Sequence, residues 1–172
     1  YKWGLINKKA GTAALTLKNK GLNYKTQLVA KSEPWADRFY MVRDTLNGLI
    51  IKDGFIPTFY EKIAHEGGDF KHDIVKYSRN GNNVIGYCTR IKQKEDDVKA
   101  SKKEHIISAT GTTVDMLSVF YYMRSLNYDK MKSGDVIKLN IFSGKRKELL
   151  TIKYRGTKNV SYDKKSYNCY HI

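Results

Sequence analysis

The sequence predicts an all-β, single-domain chain: a curved antiparallel meander forming a barrel or half-barrel of about 11–13 strands, with one buried helix over about residues 114–127. Three observations carry this. Turn signals recur roughly every 8–12 residues along most of the chain, the spacing of antiparallel hairpins rather than of βαβ units. Proline is scarce at 2 while tyrosine reaches 13, and Val, Ile and Thr recur in short runs, a composition suited to strands. A convincing helical pattern occurs once, from Thr113 to Asn127.

Residues 1–7 and 12–18 read as two short strands of a hairpin joined across residues 7–11. Leu22 to Lys31 alternates, with Leu22, Tyr24, Thr26, Leu28 and Ala30 on one side. Ser32-Glu33-Pro34 opens a single helical turn, because proline suits a first helical position. Arg38–Asp44 and Leu49–Lys52 read as strands. Asp53-Gly54 is a tight-turn signal leading into Phe55–His65. Gly67-Gly68-Asp69 and Asn80-Gly81-Asn82 place reversals around Phe70–Ser78 and Val84–Gln93. The polar stretch Lys94–Lys103 reads as a mobile loop or a long solvent-exposed hairpin end, followed by a strand at Glu104–Ala109.

The helix is expected to begin at Thr113 as N-cap, with Asp115 in its first turn. Val114, Leu117, Val119, Phe120, Tyr121, Tyr122 and Leu126 leave it no clean polar face, and a helix apolar nearly all round is a buried one. Ser133-Gly134-Asp135 then turns the chain into Val136–Phe142, and Ser143-Gly144-Lys145-Arg146 joins it to Glu148–Arg155. Val160–Tyr162 and Tyr167–Ile172 complete the strands. A meander of this length must curl to protect its edges, which places the helix on the concave side or at the mouth.

The 172 residues suffice for one well-developed core, so residues 1–172 are taken as one β-rich domain. No run of apolar residues is long enough to span a membrane as a helix. The chain starts at Tyr1 rather than Met and reads as a fragment or processed product, with any signal peptide or lipid anchor lying upstream. Ile172 falls in mid-strand, so a few further residues are expected. Lys and Arg total 32 against 17 Asp and Glu, a net charge of +15. Such a field attracts polyanions such as lipopolysaccharide, an anionic membrane or nucleic acid, the last being least favoured. The cations are nevertheless spread along the chain, with small knots at Lys102-Lys103, Lys145-Arg146-Lys147 and Lys164-Lys165 where turns are expected, the pattern of a solvated surface.

Chemistry-bearing motifs are few. His65 and His72 flank the Gly67-Gly68-Asp69 turn with Glu66, but no helical or paired Cys/His spacing of a zinc site accompanies them, and the turn reading is preferred. Cys88 and Cys169 lie in strands, either paired across a sheet or as buried thiols. No phosphate-binding glycine loop, nucleophile motif or carboxylate pair is found, so neither an enzyme nor a cofactor is expected. Asp115 and Arg124 are out of phase on one helix and must seek partners in the sheet. A buried network of Asp44, Asp115 and Arg124 is therefore expected, with Arg124 meeting Asp44. The aromatic residues Trp3, Trp35, Phe39, Tyr40, Phe59, Tyr60, Phe120, Tyr121 and Tyr122 either line an apolar pocket or fill the core, and Trp35, Tyr40, Tyr60, Tyr121 and Tyr122, with Arg124, are the candidate ligand-binding residues.

Several stretches resemble the bacterial exported proteins grouped as domain of unknown function 3108. They are Trp3-Gly4 with Ala10-Gly11; Ser32 with Ala36-Asp37-Arg38-Phe39-Tyr40, running into Val42-Arg43-Asp44; Pro57 with Tyr60; and Asp115-Met116-Leu117-Ser118-Val119-Phe120-Tyr121-Tyr122-Met123-Arg124. The resemblance covers nearly the whole chain and implies export to the periplasm or outer envelope, together with a curved antiparallel architecture similar to that of lipoprotein carriers. It implies no catalytic residue. The expectation is thus a monomeric, non-enzymatic cell-envelope protein holding an apolar or lipidic ligand under the helix, or alternatively binding a polyanion through its surface.

Overall fold

The computed structural model describes residues 2–3 and 6–172, with side chains from residue 8 onward. Strands β1 (Lys2–Trp3) and β2 (Ile6–Lys9) form a two-stranded ribbon. Seven strands then follow one another antiparallel in a single sheet: β3 (Gly11–Lys20), β4 (Asn23–Ser32), β5 (Val42–Ile51), β6 (Ile56–Glu66), β7 (Asp69–Asn80), β8 (Asn83–Gln93) and β9 (Ser101–Thr110). A one-turn helix, α1 (Pro34–Asp37), separates β4 from β5. The short β10 (Thr113–Asp115) leads into α2 (Ser118–Ser125) and pairs parallel with β11 (Val136–Phe142), itself antiparallel to β12 (Lys147–Lys153). A last hairpin joins β13 (Thr157–Tyr162) to β14 (Lys165–Tyr170).

Local chemistry explains the reversals. Two-residue hairpin loops need positive φ, which glycine accepts without steric cost: Gly67 (φ +62°) joins β6 to β7, and Gly81 (φ +56°) joins β7 to β8. The all-β antiparallel meander stands, but the sheet is open. Among the described residues β3 and β9 remain its two edges, so of the two forms expected the closed barrel is not formed.

Strand alternation gives this sheet one face that is apolar over part of its length and ionic over the rest. In the apolar part Leu46, Tyr60, Val75, Val84, Cys88 and Ala109 form a core with Leu117 and Phe142, which reach it from outside the sheet. Two glycines admit these visitors. A Cβ on Gly86 would lie 2.7 Å from the Phe142 ring, which stacks on Tyr77 with centroids 5.7 Å apart. A Cβ on Gly48 would meet Thr26 Oγ1 at 2.7 Å and Leu117 at 3.5 Å. A second core of Val114, Val119, Leu139 and Ile152 binds α2 to the small sheet. In the ionic part Lys62 pairs with Asp44 (3.3 Å) and Glu66 (3.2 Å), Lys71 with Glu66 (2.8 Å) and Arg90 with Asp73 (3.3 Å). The Lys71 hydrogen bond helps hold the Glu66 carboxyl down at about 2, whereas burial pushes Asp44 and Asp73 up.

Several expectations are corrected. The helix spans eight residues rather than fourteen, because Thr113–Asp115 pairs with β11 as a strand, where β-branched Thr113 and Val114 fit. It is also only partly buried: Val119 and Tyr121 are enclosed, whereas Phe120 and Arg124 are exposed. The hairpin across residues 7–11 does not form, since Gly11–Lys20 pairs with β4 instead; Tyr1, Gly4 and Leu5 of the first expected strand lie outside the described residues. Arg38–Asp44 and Leu49–Lys52 are not separate strands, since β5 runs unbroken from Val42 to Ile51 through Gly48. The expected Lys94–Lys103 loop is shorter, as β9 already begins at Ser101.

The Gly86–Phe142 approach yields a direct test. Gly86→Ala should force Phe142 out of its seat and cost about 1–3 kcal/mol, as overpacking does. Urea denaturation would show it, and a variant as stable as the parent would mean that Phe142 does not pack on β8.

Candidate functional site

The site is built around α2, whose start is set by one carboxylate. Asp115 Oδ1 accepts hydrogen bonds from the backbone N–H groups of Leu117 (2.8 Å) and Ser118 (2.7 Å), while Ser118 Oγ accepts from Asp115 N–H (2.9 Å). This reciprocal arrangement has the pattern of a capping box set just ahead of α2, with Asp115 rather than Thr113 supplying the acceptor. Asp115 is 1% exposed, and burial lifts its carboxyl to about 6 despite those donors. Tyr60 and Tyr77 flank it, their hydroxyls pushed up first by burial and then by the Asp115 charge. Nearby, Arg79 Nη2 donates to the carbonyl of Thr113 at 3.1 Å.

Once started, α2 runs past the inner side of the edge strand β3, where the Tyr121 hydroxyl donates to Thr16 O at 3.0 Å. Two clefts open along it. One, of about 330 Å³, lies between Leu15, Leu17, Phe55, Tyr121 and Arg124. The other, of about 580 Å³, runs from Leu15, Phe120, Met123 and Arg124 to the C-terminal hairpin at Tyr170 and Ile172. They share Leu15 and Arg124 and so form one groove. Its walls are apolar yet open to solvent: Leu15 is 43% exposed, Leu17 42% and Phe120 44%. The hairpin is docked by Tyr170, which stacks on Tyr128 (centroids 4.8 Å) and donates its hydroxyl to Asp129 at 2.6 Å.

The residues expected to face a ligand separate in the structure. Tyr121 and Arg124 line the groove. Tyr122 borders a different cleft of about 260 Å³ with Arg79 and Val114. Tyr60 is fully buried in the core. Trp35 and Tyr40 belong to neither cleft of the groove: the Trp35 indole donates to Lys9 O at 2.8 Å with its ring edge-on to Phe39, and Tyr40 is exposed beside Gly67. The expected network is not formed. Asp44 pairs with Lys62, Asp115 caps α2, and Arg124 is exposed at the groove, because it stands one helical turn from Phe120 on the open side of α2 while Val119 and Tyr121 take the buried side. Its loss therefore carries no cost of an orphaned buried partner.

The histidine pair is also dispersed. His72 Nε2 lies 2.9 Å from Glu61 Oε1, His65 packs on Phe70, and Glu66 turns to Lys62 and Lys71 on the opposite face. Both cysteines are free. Cys88 sits in the core with its thiol pushed up by burial to about 11, and Cys169 is half-buried at the groove.

With this geometry in place, comparison with protein families decides the kinship: a family described as Protein of unknown function (DUF3108) matches residues 1–172. The chain belongs to this family. No curated protein and no solved structure matches it. Within this DUF3108 chain, sequence reading named Phe120, Tyr121 and Arg124, which line the groove, but not Leu15, Leu17 or the docked hairpin as its walls. A signal was present: Ala13, Leu15 and Leu17 alternate as the apolar side of an otherwise polar strand, and Phe120 and Arg124 stand one helical turn apart.

The Asp115 carboxyl gives this DUF3108 chain a pH signature. Its folded value of about 6 lies above the ~3.9 of an unfolded aspartate, so the folded state holds the proton more tightly. The resulting stabilisation is complete below about pH 4 and is lost as pH rises through about 6. Asp115→Asn keeps an oxygen acceptor without the charge. In urea denaturation the stability difference should move in favour of Asp115→Asn by roughly 2–3 kcal/mol between about pH 4 and pH 7. A difference independent of pH would refute the buried carboxylate.

Proposed function

We propose that this protein is a non-enzymatic, monomeric binding protein of the cell envelope, reached by export, which takes up an anionic amphiphile. The acyl chain lies in the groove along α2 and the acidic head meets Arg124. The observation that carries the reading is the pairing of an open apolar trough with one cation at the junction of its two clefts. Partly exposed Leu15, Leu17 and Phe120 converge on the same space, an arrangement that soluble proteins usually cover or use. The combined space falls within the ~300–1,000 Å³ of ordinary small-ligand sites. Arg124 makes no ion pair among the described residues, and a guanidinium is suited to a carboxylate or phosphate head. The envelope setting is supported by the motif resemblance and by a +15 charge suited to an anionic surface.

The competing reading, capture of a polyanion by the whole basic surface, predicts binding that collapses with salt and does not depend on the groove. Hexadecanoate and hexadecanol separate the two when titrated against the intact chain by calorimetry. Phe120→Asp, at an exposed position, should weaken both ligands about tenfold or more while leaving the melting temperature nearly unchanged. Arg124→Ala should weaken hexadecanoate roughly tenfold and leave hexadecanol unaffected, the worth of one charge-assisted contact. Failure of the parent to bind either ligand would end the proposal.

A further inference from the structure

At the other edge of the sheet, the ionic part of the inner face opens into a second and chemically different cleft. It has a volume of about 420 Å³ and is bordered by β8, β9 and the turn between β11 and β12. Strand register builds it. Arg90 and Lys92 are successive inward positions on β8, and Lys103 lies directly opposite Arg90 on β9. Lys145 is brought over them by its turn, whose backbone is pinned where His105 Nε2 meets Lys145 O at 3.1 Å. The turn also lies against Asp73, since a Cβ on Gly144 would be 2.7 Å from the Asp73 Cβ. Four cationic residues thus border one cleft. The acid among its lining residues, Glu104, is bound to Lys102 at 2.6 Å.

Arg90 is the most constrained of the four. Its Nε lies 3.3 Å from Asp73 Oδ1, with the side chain 16% exposed, yet the guanidinium makes no hydrogen bond among the described residues. Nε and Nη1 are shut in, which leaves Nη2 as the accessible nitrogen. Asp73 neutralises one positive charge, while Lys92, Lys103 and Lys145 make no ion pair among the described residues. Three uncompensated ammonium groups beside an oriented guanidinium favour a compact, multiply charged oxyanion, for which arginine supplies direction and lysine supplies charge.

We propose that this cleft is a binding site for a phosphate dianion, free or as a phosphomonoester head group, separate from the groove along α2. The test titrates inorganic phosphate into the intact chain at constant ionic strength set with chloride, followed by NMR shifts of residues lining the cleft. Phosphatidylcholine vesicles with and without phosphatidate provide the lipid-borne form of the same group. Saturable binding is expected, and Lys92→Ala/Lys103→Ala/Lys145→Ala should weaken it roughly tenfold or more, as losing charge-assisted contacts does. These three lysines are exposed, so folding is spared. Lys18→Ala/Lys20→Ala/Lys25→Ala removes the same charge at the β3–β4 hairpin and should leave binding unchanged. Binding of free phosphate assigns a soluble ligand; binding of phosphatidate vesicles alone, lost in the cleft variant, assigns a lipid head group. Equal loss in both triple variants, or no binding of either probe, overturns the proposal.

Discussion

The buried carboxylate of Asp115 is the constraint on which the rest of the arrangement depends. The chain leaves β9 at the edge of the large sheet and returns across its inner face, and a backbone making such a passage must find partners for its polar groups away from water. Asp115 supplies them by accepting from Leu117 and Ser118 at the point where strand becomes helix. Fixing that corner drives Leu117 into the core beside Tyr60 and Val75 and sets the direction of α2 along β3. The carboxylate is isolated enough for burial to outweigh the two backbone hydrogen bonds it accepts. The tether is therefore bought with electrostatic strain.

A second consequence is the division of one sheet face into two environments. Where Leu117 and Phe142 cover it, the inward residues are Leu46, Tyr60, Val75 and Val84. Beyond their reach, the same alternating positions carry Asp44, Lys62, Glu66, Lys71, Asp73 and Arg90 as a lattice of opposite charges. Such partly buried pairs contribute little net stability, because desolvation offsets much of their attraction. Inward-pointing charges of this kind discourage sheet-to-sheet association.

Much of the large sheet was legible because its signals are local. Asp53-Gly54, Gly67-Gly68 and Asn80-Gly81 each mark a reversal through backbone conformations that few other residues tolerate, and the strands between them follow. The helix was overextended because Val114, Leu117 and Tyr121 satisfy a helical period, while the parallel pairing of Thr113–Asp115 with β11 is a long-range event. Gly48 looked like a break between strands, but its role is close approach: Thr26 and Leu117 occupy the space of its missing side chain. Arg124 was expected to meet Asp44 but stands exposed with Phe120, since which side of a short helix faces the sheet depends on how that helix docks, a long-range event. Of the lysine knots expected at turns, Lys145-Arg146 does lie in one, whereas Lys102-Lys103 is part of the edge strand β9; that the register would gather members of both beside Arg90 could not be read from their positions in the chain.

The geometry also explains why both open sites lie toward the edges of the sheet. Its centre is filled, with Phe142 against Gly86 and Leu117 against Gly48, so an occupant there would have to displace a ring or a leucine from a close-packed core. At β3 the covering helix is short and leaves Leu15 and Leu17 half-clothed; at β9 the covering turn is cationic and meets a cationic pair of strands. One edge therefore offers apolar surface with a single charge and the other offers charge with little apolar surface. The two edges thus differ in chemical kind, and the filled centre separates them.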